Sequence, residues 1–356
     1  MSEVTIVGAG ICGLTLAIAV TAHGHDATVY ERRDRRSGAE DGAYLTVSGR
    51  ALADLEKLGI GPRLRSTGIP VHAIAMTADG HTRRGTLPPT EGIGHHHVWR
   101  RDLLTALQER CREVGVSIVH DAHATAVQTL PSTVRLHLGD GRVVDSDVLV
   151  GCDGLSSAVR RDIVTGPTAP VYEGQVVLYG HHRGPSDRQE LEPGVLSFFR
   201  HEAHTVGVLN GGGEGIFWFA RLTRPALRPA DVGLHSSRDW KDELTAAFPA
   251  TIIDVRALVE DTPMLFGCNA ERVPELPHWG GRRAMILGDA AHGMSPAAGQ
   301  GATLAIADAL TAAPLLDPAT PTAKFISAIA ERRTAAADAR RTPPARSSST
   351  RVRRSP

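Results

Sequence analysis

Three glycines stand in Gly8-Ala9-Gly10-Ile11-Cys12-Gly13, directly after a β-branched apolar run and directly before a helical stretch. In that setting Gly8 permits a tight turn, Gly10 lets backbone approach a pyrophosphate, and Gly13 allows close helix–strand packing. The helix would then begin at Ile11 and Cys12 with free N–H groups and a dipole that favour phosphate. Glu31, followed by Arg32, ends the next apolar run, where a carboxylate accepts hydrogen bonds from ribose hydroxyls and disfavours a 2′-phosphate. FAD or NAD is expected there rather than NADP; the alternative is a glycine-rich turn in an unrelated α/β protein. Cys12 invites a redox reading, but a small hydrophobe packed under the helix is favoured.

The elements that must position these residues follow from periodicity. Val4–Val7 and Ala27–Tyr30 are expected strands flanking a helix over Leu14–Ala22 that Gly24 stops, the opening of a βαβ unit. Helices are expected over Ser48–Leu58, capped by Ser48, and over Arg101–Val114, with a strand at Ser117–His120. Strands are expected at 125–130, 133–138 and 143–150, with Gly139-Asp140-Gly141 as a hairpin turn. From about Val171 to Pro274 the texture becomes strand-like and aromatic, a mostly antiparallel layer with helices near Asp239–Phe248 and Ile252–Val259. At Ala284–Leu287 a short buried strand returns, then Gly288-Asp289 and a small-residue helix from about Gly299 to Ala313.

The expected fold class is therefore α/β (α+β overall): a Rossmann-like FAD-binding domain from segments 1–72, 95–170 and 276–335, with an inserted, mostly antiparallel β-sheet substrate domain from 73–94 and 171–275. Residues 341–356, rich in Pro, Ser and Arg, are expected to be disordered.

Thirty-nine basic and thirty-nine acidic residues cancel, which leaves no global field for nucleic acid or an anionic membrane. Only three basic residues are lysines, and arginine is abundant throughout, so paired arginines carry little information by themselves. The four cysteines are dispersed and no apolar run reaches a membrane-spanning length. A cytoplasmic protein acting on a small molecule, monomeric or a weak homodimer, is expected. His95-His96-His97 point alternately to opposite faces if extended, which argues against a shared metal.

Two further segments carry a resemblance: Gly151-Cys152-Asp153-Gly154-Leu155-Ser156-Ser157-Ala158-Val159-Arg160 and Gly288-Asp289-Ala290-Ala291-His292-Gly293-Met294-Ser295-Pro296-Ala297-Ala298-Gly299-Gln300-Gly301-Ala302. With the glycine motif and Glu31 these occur in the order seen in the p-hydroxybenzoate hydroxylase-like FAD monooxygenases, which the chain strongly resembles from its start to about residue 335. The resemblance implies that Asp289 binds ribityl or ribose hydroxyls. It implies that the turn through Pro296, Gly299, Gln300, Gly301 and Ala302 runs beside the isoalloxazine. Asp153, Gly154 and Arg160 would then serve the pyrophosphate region, and Arg101, next to Arg100, would meet FAD phosphate or adenosine. Asp153 also reads as a helix cap, and His292 as a packed residue rather than an acid–base group. After Arg333 the family's terminal helical packing looks truncated.

The same resemblance implies NADH or NADPH as a transient co-substrate, reaction of reduced FAD with O2 to a flavin C4a-hydroperoxide, and hydroxylation of an aromatic, phenolic or polyketide-like molecule. Epoxidation, Baeyer–Villiger oxidation, an FAD-scaffolded non-redox cyclisation and a dehydrogenase are the alternatives. The substrate wall is expected from Tyr179, His181, Phe199, His201, Phe217 and Phe219 or Trp218, of which strand alternation lets only half face inward. No catalytic base and no metal are assigned.

Overall fold

The computed structural model describes residues 2–34, 43–183, 191–250, 253–295, 299–317 and 320–341. Pro296 and the tail beyond residue 341 lie outside them. Strand Glu3–Val7 buries four of its five residues because it is the centre of a five-stranded sheet. Its order is Ala284–Ile286, Val148–Gly151, Glu3–Val7, Asp26–Tyr30, Ser117–Val119, with every neighbour parallel. A parallel sheet covered on both faces needs near-continuous apolar strands, and Val4, Ile6, Val29, Leu149, Val150 and Ile286 supply them. Helix Ile11–Ala22 packs against helices Gly301–Ala312 and Arg100–Glu113, and buries every residue from Cys12 to Val20. This is the expected α/β fold class.

A second sheet of eight strands runs in the order Gly233–Ser236, Met264–Arg272, Val171–His182, Ile216–Thr223, His204–Asn210, Val195–His201, Ala73–Ala78, His81–Thr86. It is antiparallel except where Val195–His201 meets Ala73–Ala78. One face carries Val176, Leu178, Val208, Trp218 and Leu222 onto the short helices Lys241–Ala247 and Val255–Glu260. Trp218 is fully buried and donates its indole N–H to Thr262 Oγ1 at 2.9 Å. A small sheet, Tyr44–Val47, His95–Trp99 and Ile69–Val71, bridges the two larger ones. Its Tyr44 donates its phenol to the carbonyl of Trp218 in the eight-stranded sheet.

Two expectations need correcting. The run 143–150 is two strands: Val143–Ser146 pairs antiparallel with Val134–Leu138, whereas Val148–Gly151 lies parallel to Glu3–Val7. The break falls at Asp147, whose Oδ2 accepts the Glu3 N–H at 3.1 Å, so one continuous stretch serves two sheets of different direction. Nor does the terminal packing stop at Arg333, for helix Thr322–Arg341 continues and buries Ala336 and Ala339. Alanine is the strongest helix former, and Ala335–Ala337 carry the helix on.

This helix is tied down by charge. Arg332 Nε donates at 2.7 Å to Oδ1 of Asp308, which is fully buried, while Oδ2 of Asp308 meets His292 Nε2 at 2.5 Å and the Gly288 N–H at 3.1 Å. Breaking a buried ion pair from one side costs about 3–5 kcal/mol. Arg332→Met is therefore expected to lower unfolding free energy by about that amount in urea titrations, whereas truncation of the exposed Ile326 to Ala should change it by under about 0.5 kcal/mol.

Candidate active site

Three loops leave the parallel sheet at one edge and meet by backbone contact. Gly8 has φ +101°, and a Cβ there would lie 2.5 Å from the Cys152 carbonyl oxygen; at Gly13 it would lie 2.0 Å from the Gly8 oxygen. Hydrogen bonds join the same loops: Cys152 N–H donates to Val7 O at 2.8 Å, and Leu287 N–H to Gly151 O at 2.9 Å. Cys12 is buried with its Sγ 3.7 Å from that of Cys152, and a Cβ on Gly288 would come within 3.0 Å of Cys12 Sγ. Burial and the neighbouring thiol hold the Cys12 thiol protonated, as a packing group.

Gly10 is the contrast. It lines a cavity, and an added Cβ would meet nothing within 4 Å. It caps helix Ile11–Ala22 without a side-chain hydrogen bond, and the first turn holds no acidic residue, so the orphan N–H groups open onto the cavity. Glu31 stands beside them, its Oε2 accepting the Ala9 N–H at 2.7 Å and its Oε1 the Arg33 N–H at 2.9 Å. Asp153 lines the same cavity and accepts from the Ala158 and Val159 N–H groups at 2.7 and 3.2 Å, capping helix Ala158–Ile163. Gly154 beside it takes φ +77°.

At the far end Gly301–Ala312 starts another helix without a side-chain cap or an acidic first turn. Gly299, Gln300, Gly301 and Ala302 line the cavity there, with Asp289 facing them. Asp289 is ringed by protein, and the surface it exposes is cavity wall. Burial pushes its carboxyl above the usual carboxylate range, with His292 and Arg100 pulling it back. The cavity, about 780 Å³, is continuous from Gly10 to Asp289 and on to the eight-stranded sheet. There Ile74, Val177, Leu196, Phe198 and Phe219 form an apolar chamber, with Tyr179, Arg221 and His97 as its polar members.

His97 is buried, its Nδ1 3.0 Å from Thr46 Oγ1 and its Nε2 without a partner among the described residues. Burial, aided by His181, pushes its pKa down to about 3, so it is a neutral imidazole at physiological pH.

Of the residues singled out from sequence, Gly8, Gly10, Ile11, Cys12, Glu31, Arg32, Arg101, Asp153, Gly154, Asp289, Gly299, Gln300, Gly301, Ala302, Tyr179 and Phe219 line this one cavity. Gly13 and Gly288 stand behind the lining, where they let the loops touch. Arg160 is elsewhere: its buried guanidinium donates to the carbonyls of Thr168, Ala290 and Leu155, tying the second loop to the third. Phe199 faces away and packs against the Trp218 core, and Trp218 lies on that same face. His201 sits at a hairpin end opposite His204. Phe217 and His181 stack at 4.2 Å beside Trp99, outside the main cavity. Arg101 lies over the Trp99 ring at 4.8 Å, and it is Arg100 whose charge acts on Asp289. Phe198, Arg221, Tyr44 and His97 line the chamber without having been picked out. Only strand parity could have separated Phe198 from Phe199, and it needed the register to be known.

The residues fit a dinucleotide flavin: an open cradle at Gly10, two uncapped helix starts aimed into one cleft, and a ribose-type acceptor at Glu31 define a nucleotide-binding oxidoreductase site. The chain belongs to the FAD binding domain family, which it matches over residues 1–323, and it is an FAD-dependent enzyme of the monooxygenase kind. It is 30% identical over 332 residues to 3-amino-4-hydroxybenzoate 2-monooxygenase of Streptomyces cremeus, covering 88% of this chain and 78% of the relative. Zeaxanthin epoxidase of Nicotiana plumbaginifolia is 29% identical over 335 residues, 89% of this chain and 49% of that one. The crystal structure of Klebsiella pneumoniae HpxO with FAD and uric acid superposes with TM-score 0.81 at 22% identity, covering 96% of this chain and 87% of that chain.

A histidine whose folded pKa lies near 3 binds fewer protons than the unfolded chain between that value and about 6.5, so its contribution to stability is lost as pH falls through this window. Replacing His97 with Phe is expected to remove a slope of up to about 1.4 kcal/mol per pH unit from the acid limb, read by denaturant titration between pH 6.5 and 4.

Proposed function

We propose that this protein uses NADH or NADPH and O2 to hydroxylate a small aromatic or phenolic molecule held against the eight-stranded sheet. One observation supports this above the others: a single cavity of about 780 Å³ joins the dinucleotide cleft to an apolar chamber with a few polar members. A bound flavin would supply the redox chemistry: NAD(P)H provides two electrons that go to O2, one oxygen atom enters the substrate and the other leaves as water.

The chain's own residues bind, orient and exclude water. The helix start at Gly10 would hold the pyrophosphate, Glu31 the adenosine ribose and Asp289 the ribityl chain. The helix start at Gln300 would face the pyrimidine end, where negative charge gathers on reduction. Phe198, Phe219, Val177 and Leu196 keep the chamber dry, which protects reactive oxygen species from hydrolysis. Neutral His97 lines the chamber with its Nδ1 at Thr46 Oγ1, so it adds no charge to the wall.

Among the described residues no helix is long and apolar enough to cross a membrane. A cytoplasmic location and a monomer or weak homodimer go with this reading. Epoxidation is the second reading, favoured by the likeness to zeaxanthin epoxidase.

The purified protein is expected to be yellow, and to consume NAD(P)H and O2 in equal amounts only when an accepted substrate is present. Cyclisation of a substrate without consumption of either would overturn the proposal, and mass spectrometry of product separates added hydroxyl from epoxide. Asp289→Asn is expected to weaken FAD binding by about 10- to 100-fold, the worth of a lost charged acceptor, read by fluorescence titration of the apoprotein.

A further inference from the structure

The apolar chamber contains a cation with nothing to answer it. Arg221 enters from strand Ile216–Thr223 on the same face as Phe219, and its Nε is buried without a hydrogen-bond partner. Among the described residues its guanidinium forms no hydrogen bond or ion pair. Burial works against its charge, and so does Arg200. Among the described residues the carboxylate that favours its charge, Glu173, is already paired with Arg272 at 3.2 Å.

Register explains the second arginine. Thr205 pairs with Arg221 on one side and with Arg200 on the other, so the three side chains stand in a row on one face of three adjacent strands. That face is the cavity side, since Leu196 and Phe198 share the parity of Arg200, and Phe219 that of Arg221. Residues two strands apart are separated by about 10 Å, within which two arginine side chains can close on one group. Two like charges held together, one of them largely desolvated, are unfavourable until an anion arrives.

We propose that the substrate carries a carboxylate, held bidentately by Arg221 inside the chamber while Arg200 adds its charge from the rim. This rests on the reading of the cavity as the substrate site. The planar guanidinium fork matches a carboxylate in geometry, and the aromatic and aliphatic walls suit the ring that bears it. Because the chain has no net charge, its surface exerts no general pull on anions, so selectivity for an acid must come from these contacts.

The test is calorimetric binding to the FAD-loaded protein, independent of turnover, with benzoate, 4-hydroxybenzoate, 3-amino-4-hydroxybenzoate and quinoline-2-carboxylate, each beside its primary amide. At least one acid is expected to bind about 10- to 100-fold more tightly than its amide, the range for a charge-assisted pair. Arg221→Met should bring that acid down to its amide's affinity, and Arg221→Lys should restore part of the preference; FAD content and melting temperature report folding of both. A panel in which no acid outcompetes its amide overturns the proposal, whether or not the amides bind, as does an Arg221→Met protein that keeps the preference. Loss of NAD(P)H and O2 consumption with acid preference intact would instead count against the oxygenase reading alone.

Discussion

The cleft depends on a steric exclusion rather than on any bond: the backbone at Gly8 must lie against the Cys152 carbonyl, and that at Gly13 against the Gly8 carbonyl, with no Cβ between. Parallel strands present their carboxyl ends at one edge, and the loops from Val7, Gly151 and Leu287 all leave there. A side chain at either glycine would wedge the first helix away from the sheet and turn its free N–H groups off the cavity. The same contact lets residues some 280 positions apart build one site, since Cys12, Cys152 and Gly288 touch at its floor.

How the buried charges are treated separates scaffold from site. Asp308 is met by Arg332, His292 and the Gly288 N–H; Asp153 accepts two backbone N–H groups; Arg160 donates to several carbonyls. Such groups hold loops in place, and their satisfaction offsets the cost of burial. Asp289, Arg221 and the Nε2 of His97 are different. Asp289 is exposed along the cavity wall, while Arg221 Nε and His97 Nε2 are buried without a hydrogen-bond partner among the described residues, which is a standing cost in the folded chain.

The fold class was legible because glycine spacing and strand–helix alternation are local signals. Glu31 was singled out because it ends the strand after the glycine motif, whereas Asp153 and Asp289 were singled out through the family resemblance of their segments; all three line the cavity. The chamber was not legible in the same way. Phe199 and Phe198 differ by one position, and only the pairing of Phe198 with Gly207 and of Phe199 with Val206 decides which points inward. The break at Asp147 was hidden because no turn residue such as Gly or Pro separates Val143–Ser146 from Val148–Gly151, and composition does not report strand direction. Arg221 was invisible among so many arginines; its meaning lies in lacking a partner, which is a property of three dimensions. Tyr44 belongs to a strand whose pairing partner, His95–Trp99, is distant in sequence.

Strand Ile216–Thr223 shows how such a site can change without endangering the fold. Its even positions, Ile216, Trp218, Ala220 and Leu222, build the core beneath the sheet, while Phe219 and Arg221 form the chamber above. Because the two sets project to opposite faces, a substitution at Phe219 or Arg221 alters what the chamber accepts and leaves Trp218 packed. Cofactor binding lies on other elements, held by glycines that tolerate no such variation. The cost of an unpaired arginine is then borne by a sheet whose opposite face is fully packed, and specificity can drift while the cleft beside it stays fixed.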